Sequence, residues 1–299
     1  MATDAAVCSG DEKTAHLKRL PSASDPEGGL SLFRADLLDY DAMAAAIAGC
    51  QGVFHVATPR EMLGPAITGT KNVLEAASAA KVRRVVVVSS MVTVEINPKN
   101  WPKDKIKDES CWSDKEFCRN NEDWYSVAKI TSEEVALEYG RQIGLDVVTI
   151  NPALVLGPLL QPIRSLHNVV NADAGGPDRM RDKLWHIVDV RDVADALLLL
   201  YEAPGASGRH ICAPHFVTAR DLLRLLKRMY PGYPCINEES ISDMDKPAPM
   251  TSDKLRKLGW SCRPLEETIA DTAEFCEQAG FLGDLQGAPC RFPPVYNKI

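Results

Sequence analysis

Four consecutive valines, Val85–Val88, are the feature of this sequence that most restricts its fold. β-branched side chains favour extended backbone. An apolar run without polar alternation is typical of a strand that is buried on both faces of a parallel sheet. Further strands are predicted from similar runs at residues 30–36, 52–57, 146–150, 185–190 and 209–212.

Helical periodicity separates these runs. Helices are predicted at residues 40–48, 66–80, 124–142, 193–202, 218–227, 252–258 and 266–279. Strands that alternate with helices of this length form right-handed βαβ units. The sequence therefore predicts an α/β protein with a doubly wound parallel sheet. Residues 97–121, rich in Pro, Lys, Asp and Trp, are predicted to form a long surface loop.

Composition excludes several classes of protein. The chain has 299 residues and a formal net charge of −7, which argues against nucleic acid or an anionic membrane as a partner. No apolar run approaches the roughly 20 residues of a membrane span, and the first ten residues do not resemble a signal peptide. The nine cysteines include no C-x-x-C pair, so we expect reduced thiols and a cytoplasmic location.

Tyr125 and Lys129 are the first candidates for chemistry. They are four residues apart, so on a helix they lie one turn apart on the same face. A phenol is a weak acid, with an ordinary pKa of about 10, and a nearby ammonium favours its ionised form. The pair also occurs by chance on solvated helices. It becomes informative here because Ser89-Ser90 end a buried strand upstream and Asn151-Pro152 end one downstream.

Several segments, taken in order, resemble one family. They are Asp36-Leu37, Val53–Pro59, Arg83-Arg84, Asp108–Asp114, Tyr125 with Lys129, Asn151–Pro158 and Trp185–Asp192. Together they resemble the plant cinnamoyl-CoA reductase and dihydroflavonol 4-reductase group of the extended short-chain dehydrogenase/reductase superfamily. The resemblance runs from about Asp11 to Phe281. It implies a Rossmann-type sheet and NADPH-dependent reduction of an aromatic, phenylpropanoid-type carbonyl or CoA-thioester substrate.

The resemblance also implies roles for three catalytic residues. Tyr125 would donate a proton to the substrate oxygen, and Lys129 would assist it and bind the nicotinamide ribose. Ser90 would hydrogen-bond the substrate carbonyl, because negative charge develops on that oxygen during hydride attack. The alternative for Ser90 is a strand-end hydroxyl bonded to backbone, and Ser89 is the serine for which a structural role is expected.

NADP(H) is the cofactor that the resemblance implies. Lys13 would meet its 2′-phosphate as a point charge, although a solvated surface lysine is the alternative there. The remaining expected contacts, besides Tyr125 and Lys129, are Asp36, Leu37, Val56, Ala57, Thr58, Pro152, Ala153, Leu154 and Val155. No metal is expected, and Asp189, Asp192 and Asp195 are assigned capping and surface roles.

The N-terminal region departs from the family. Family members begin with a strand, a glycine-rich turn and a helix, whereas here Gly10 is the only glycine among the first ten residues. We therefore expect an N-terminally incomplete dinucleotide-binding domain, residues 1–155, without its first strand-turn-helix unit. Residues Ala5–Cys8 can occupy the first or the second strand position, but not both. A smaller substrate lobe, residues 156–299, is expected to follow, with residues 184–202 packing back on the first domain.

Substrate and activity have open alternatives. Family members that reduce CoA thioesters read Cys-Tyr-Gly between the catalytic tyrosine and lysine, whereas this chain reads Ser126-Val127-Ala128. The second hypothesis is a truncated, catalytically inactive paralogue that keeps only a binding or dimerisation role. Under the first hypothesis the partner is a small aromatic molecule, and the chain is a monomer or a homodimer.

Overall fold

The computed structural model describes residues 3–7, 11–20, 29–56, 63–98, 101–102, 104–160, 180–232, 237–244 and 247–279. For residues 3–7, 11–13, 63 and 180 only the backbone is described. None of the helices in these ranges is long and apolar enough to cross a membrane.

Strands and helices alternate along most of the described chain. The strands are β1 Thr3–Val7, β2 Leu30–Arg34, β3 Gly52–His55, β4 Arg84–Val88, β5 Val147–Pro152, β6 Leu154–Leu156, β7 Met180–Arg181, β8 Leu184–Asp189, β9 Gly208–Cys212, β10 His215–Thr218 and β11 Ile241–Ser242. The helices are α1 Asp11–Lys18, α2 Tyr40–Ile47, α3 Leu63–Ala79, α4 Val92–Glu95, α5 Lys115–Asn120, α6 Trp124–Ile143, α7 Val190–Glu202, α8 Ala219–Met229, α9 Asp253–Lys257 and α10 Leu265–Gln278.

A parallel sheet of four strands, in the order β3-β4-β5-β9, forms the centre of the fold. The valine strand β4 lies inside it, with Val86 opposite Val148 in the β4–β5 register. All five residues of β4 except Val88 are buried. The predicted α/β class with a parallel sheet is confirmed.

The valines of β4 serve two cores because successive side chains point to opposite faces of a sheet. Val85 and Val87 join a cluster with residues of α2 and α3. Val86, together with partly buried Val88, packs in a cluster with α7. Burial of an aliphatic side chain of this kind contributes about 1.5–3 kcal/mol, and helices on both faces make the sheet doubly wound.

Strands β1 and β2 form a separate parallel pair, with Ala5 opposite Leu32. The sequence left two strand positions open for the N-terminal residues. In the structure these residues form β1, which lies beside β2. Within the described residues β3 pairs with β4 alone, and Phe54 of β3 is 40 % exposed. The two sheets share one helical layer, since Ala35, which follows β2, packs in the same cluster as Val85.

The C-terminal part contains a three-stranded sheet, ordered β10-β8-β6, in which β8 is antiparallel to β10 and parallel to β6. Trp185 and Ile187 of β8 pack there with residues of α8. Helix α7 contacts β4 and β5, while β9 pairs with β5 in the central sheet. The domain division near residue 155 stays a prediction.

The prediction of a long surface loop at residues 97–121 is wrong in its second half. Residues Lys115–Asn120 form helix α5, which Asp114 caps by accepting a hydrogen bond from the amide of Phe117 (2.9 Å). Lys107 and Cys111 are buried. The segment around Cys111 is buried because a distant cation binds it. Arg209 donates to the carbonyl of Cys111 (2.6 Å) and holds this segment against the core.

Three buried histidines carry lowered pKa values of about 4: His55, His186 and His210. Burial is the largest cause for each, and it disfavours the charged ring. An unfolded chain protonates its histidines near pH 6.5. The unfolded state therefore binds more protons between about pH 6.5 and pH 4, and stability falls as the pH falls through that window.

We expect His210→Phe to reduce this acid sensitivity. The His210 ring is fully buried, and burial disfavours its charged form. One such histidine accounts for about 2 kcal/mol of lost stability at pH 5 relative to pH 8. Urea unfolding of both chains at the two pH values measures the difference. An equal loss in the variant and the parent would contradict the assignment.

Candidate active site

Several of the predicted residues lie where parallel strands end. Ser90 follows β4, Val56 follows β3, Asp36 follows β2, and Asn151 and Pro152 are the last residues of β5. In open α/β sheets, ligands bind in the crevice outside the carboxyl ends of the strands. The topology therefore brings the residues at the ends of β3, β4 and β5 to one edge of the central sheet, and the candidate site is at that edge.

Helix α6 brings Tyr125 and Lys129 to this edge. Asp123 caps the helix, because its carboxylate accepts from the amide of Ser126 (3.1 Å) and from the Ser126 hydroxyl (2.5 Å). At the other end Gly144 adopts φ +69°, the left-handed conformation that glycine tolerates at a C-cap. Tyr125 lies in the first turn and is 41 % exposed, whereas Lys129 is buried one turn later.

Lys129 connects the helix to the end of β4. Its Nζ donates to the carbonyl of Val88 at 3.3 Å. Its charge also reaches His55, whose pKa is lowered first by burial and second by Lys129. The His55 ring is buried and contacts the hydroxyl of Thr70 (Nε2 to Oγ1, 3.4 Å). The helix thus presents a buried ammonium one turn below an accessible phenol.

Ser90 lies just beyond that contact and is half-buried. Its hydroxyl oxygen accepts from the amide of Val92 at 3.4 Å, a long and therefore weak hydrogen bond. Its carbonyl accepts from the Thr93 hydroxyl at 3.0 Å. The backbone at Ser90 is thus held more firmly than its side chain, and the hydroxyl can still hydrogen-bond a ligand.

A buried acid that sequence reasoning missed lies next to these residues. Glu133 is 1 % exposed, and it follows Lys129 by one turn on α6. Its carboxylate accepts from Ser89 Oγ (2.7 Å), Thr149 Oγ1 (2.7 Å) and Asn151 Nδ2 (2.8 and 2.9 Å). Two signals were available: Glu133 continues the face of Tyr125 and Lys129, and residues 149 and 151 are polar on one face of an apolar strand.

Arg209 supplies the charge that balances Glu133. Its Nε donates to Glu133 Oε1 at 3.0 Å, and its side chain is 6 % exposed. Burial opposes ionisation of Glu133, but the guanidinium and the hydrogen bonds hold the pKa of this carboxyl below its ordinary value. Arg209 also stacks on the ring of Trp112, 3.6 Å from its centroid. The pair joins the central sheet, helix α6 and the segment around residue 111.

The predicted cofactor residues have different surroundings. Asp36 is exposed and accepts from the amide of Leu38 (2.9 Å), while the Leu37 carbonyl accepts from Asn72 (2.8 Å). Val56 and Val155 are exposed, Pro152 and Ala153 are buried, and Leu154 packs against the C-terminal cluster. Ala57, Thr58 and the side chain of Lys13 lie outside the described residues. The site-residue assignments stay predictions.

Three aspartates and one histidine can be placed with their partners. Asp189 caps α7 by accepting from the Arg191 amide (2.8 Å), as predicted. Asp192 is buried and bonded to Arg263, so its predicted surface role is wrong, whereas Asp195 is largely exposed. His186 is buried and accepts from the Met250 amide (3.1 Å).

Known proteins share this sequence and fold. Residues 6–212 match the NAD dependent epimerase/dehydratase family. Cinnamoyl-CoA reductase 1 of Petunia hybrida is 39% identical over 283 residues, covering 91% of this chain and 83% of that protein. A bifunctional dihydroflavonol 4-reductase/flavanone 4-reductase of Malus domestica is 34% identical over 292 residues, covering 91% and 81%. The crystal structure of vestitone reductase from alfalfa (Medicago sativa L.) superposes with a TM-score of 0.81 at 30% identity, covering 94% and 92%.

The fold and the strand-edge site define a Rossmann-type protein of the extended short-chain dehydrogenase/reductase class. Within that class the chain belongs to the NAD dependent epimerase/dehydratase family. The predicted resemblance to the cinnamoyl-CoA reductase and dihydroflavonol 4-reductase group is confirmed. The prediction of a nicotinamide-dependent oxidoreductase is confirmed with it.

We expect Asp123→Ala to weaken the helix turn that carries Tyr125. Loss of an N-cap costs about 1 kcal/mol, or roughly 2–4 °C in Tm for a chain of this size. Asp123→Asn should keep Tm, because asparagine caps as well as aspartate. Thermal unfolding measures both variants.

Asp114→Ala is the matched control, since it removes the same kind of cap from α5. We expect it to lower Tm without lowering turnover, whereas Asp123→Ala lowers both. Equal turnover in the two alanine variants would contradict a role for this cap in the site.

Proposed function

We propose that this chain is an NADPH-dependent reductase of an aromatic, phenylpropanoid-type carbonyl or CoA-thioester substrate. The observation that carries the proposal is the arrangement at the head of α6. There the buried ammonium of Lys129 holds the end of β4 and lies one turn below the accessible hydroxyl of Tyr125. Relatives named as reductases, at 34% and 39% identity, support the same reaction type.

Tyr125 is the proton donor in this proposal. Reduction of a carbonyl places negative charge on its oxygen, and the site must supply hydrogen-bond donors there in advance. The Ser90 hydroxyl, only weakly engaged by backbone at 3.4 Å, orients the substrate oxygen. Lys129 stabilises the tyrosinate that forms after proton transfer, because an opposite charge nearby favours the ionised form.

The chemistry of the donors at this edge fits a nicotinamide cofactor. NADPH supplies a hydride when it is bound. Lys129 and Tyr125 would hold the ribose next to the nicotinamide, and residues Pro152 to Val155 would line the ring. Asp36 and Leu37 would lie beside the adenine of the cofactor. Residues 56–58 would lie near its ribose and pyrophosphate. Lys13 would contact the 2′-phosphate that distinguishes NADPH from NADH.

The substrate class follows from relatives and from the head of the helix. The petunia relative is named for cinnamoyl-CoA and the apple relative for dihydroflavonols and flavanones. Trp124, beside Tyr125, is 57 % exposed and offers an aromatic surface, which suits a flat aromatic substrate. An aldehyde, a ketone or a thioester of this type presents the same oxygen to Ser90 and Tyr125.

We also place the chain in the cytoplasm, as a monomer or a homodimer with no nucleic-acid partner. The six cysteines of the described part, Cys50, Cys111, Cys118, Cys212, Cys262 and Cys276, are free thiols. Such usage is typical of a reducing compartment. The acidic net charge of −7 is unfavourable for binding a polyanion.

We expect Tyr125→Phe to lower kcat by about 10²-fold or more, because a general acid of this kind contributes on that scale. NADPH affinity should fall much less than kcat, because Lys129 still holds the nicotinamide ribose. The measurement is the loss of NADPH absorbance with a cinnamaldehyde, a cinnamoyl-CoA and a dihydroflavonol substrate. Cofactor titration by fluorescence separates binding from turnover.

Tyr139→Phe is the matched control, because it makes the same substitution on the same helix. The Tyr139 hydroxyl donates to Glu75 (2.9 Å) on α3 and has no part in the site. Activity close to that of the parent chain is expected. A Tyr125→Phe variant that turns over as fast as Tyr139→Phe, or a parent chain that oxidises no NADPH, would overturn the proposal.

A further inference from the structure

Ser89 connects the end of the valine strand to the interior of the protein. Its hydroxyl donates to Glu133 Oε2 at 2.7 Å, and both side chains are buried. Ser89 is the direct neighbour of Ser90 in the chain. Its amide also donates to the carbonyl of Ile150 at 2.8 Å, which continues the sheet by one residue. A displacement of Ser89 would therefore move Ser90.

Lys129 and Glu133, on one face of helix α6, both hydrogen-bond to this strand end. Lys129 donates to the carbonyl of Val88, and Glu133, one turn further along, accepts from Ser89. Residues four apart on a helix lie in line along one face. Because Tyr125 lies one turn before Lys129, the position of Ser90 relative to Tyr125 depends on how these two contacts align helix and strand.

The Glu133 carboxylate is itself held rigidly. Thr149 and Asn151 donate to it from β5, and Arg209 donates from β9. Asn151 also reaches the carbonyl of Ser90 at 3.4 Å. A buried carboxylate with this many donors has one low-energy position, since each unsatisfied oxygen would cost free energy.

We infer that Glu133 is a positioning residue for the reduction, acting through Ser89. It does not touch the reacting atoms. It sets the distance of the Ser90 hydroxyl from the Tyr125–Lys129 face, and Arg209 keeps it ionised and in place. This inference rests on the proposed reductase function, but its structural part can be tested separately.

Ser89→Ala and Thr149→Val form a matched pair for the test. Each removes one buried hydroxyl that donates to Glu133 at 2.7 Å. Only Ser89 adjoins Ser90. We expect Ser89→Ala to lower kcat by about tenfold, since sub-ångström misplacement of a reacting group has effects on this scale. Thr149→Val keeps the contact between Ser89 and Glu133 and should lower kcat less than Ser89→Ala does, with NADPH KM unchanged in both.

Hydrogen exchange provides a readout that does not need turnover. The amides of Met91, Thr93 and Val94 bond to Pro152, Ser90 and Met91 carbonyls (2.9, 3.1 and 2.8 Å). Their exchange should become several-fold faster in Ser89→Ala than in Thr149→Val, when both are compared at the same interval below Tm. Equal exchange rates in the two variants would overturn the inference. If the parent chain is active, equal kcat values in the two variants would overturn it as well.

Glu133→Gln tests the acid directly. It keeps size but leaves Arg209 without a charged partner, and we expect a kcat loss at least as large as that of Ser89→Ala. Arg84→Met breaks an ion pair with Asp146 (2.7 Å) at the opposite end of β4 and should lower Tm with kcat retained. If Glu133→Gln does not fold, the serine and threonine variants still decide. If the parent chain does not oxidise NADPH, the proposed function is wrong. Hydrogen exchange alone then tests whether Glu133 positions Ser90.

Discussion

The buried contact between Glu133 and Arg209 is the interaction on which the arrangement of the candidate site depends. Removing a carboxylate from water costs several kcal/mol unless a counter-charge and hydrogen bonds replace the lost hydration. Glu133 obtains both, from Arg209 at 3.0 Å and from three neutral donors. These partners come from the residue after β4, from β5 and from β9, so the carboxylate can be satisfied only when the sheet and helix α6 are assembled in one register.

The site residues are placed by elements that are rigid for independent reasons. Strand β4 is held between two apolar clusters, one on each face, and helix α6 is capped at both ends. Ser90 and Lys129 belong to different elements, and the contact of Lys129 with the Val88 carbonyl brings their ends together. The residues of the proposed chemistry therefore lie on elements whose stability comes mainly from burial of apolar side chains.

Local sequence patterns predicted secondary structure correctly where burial of apolar side chains dominates. The valine run, the strand before Asn151 and the helix that begins near Tyr125 were predicted, because burial and periodicity act over neighbouring residues. The segment around Cys111 was misjudged as a surface loop. Its polar composition suggests exposure, yet Arg209, nearly a hundred residues later, bonds its carbonyls and draws it into the core. The buried role of Asp192 was missed for the same reason, since its partner is Arg263.

The sequence by itself determined the alternation of strands and helices, the helix face that carries Tyr125 and Lys129, and the family. Each of these can be recognised from the spacing of residues that are close together in the chain. Only the tertiary structure decided that residues 3–7 lie beside β2 and that Glu133 meets Arg209. It also decided that Leu154 packs into the C-terminal cluster and that Val155 stays exposed. Such pairings depend on loop closure and on the desolvation of charges, which join residues far apart in the chain and leave no local periodicity to read.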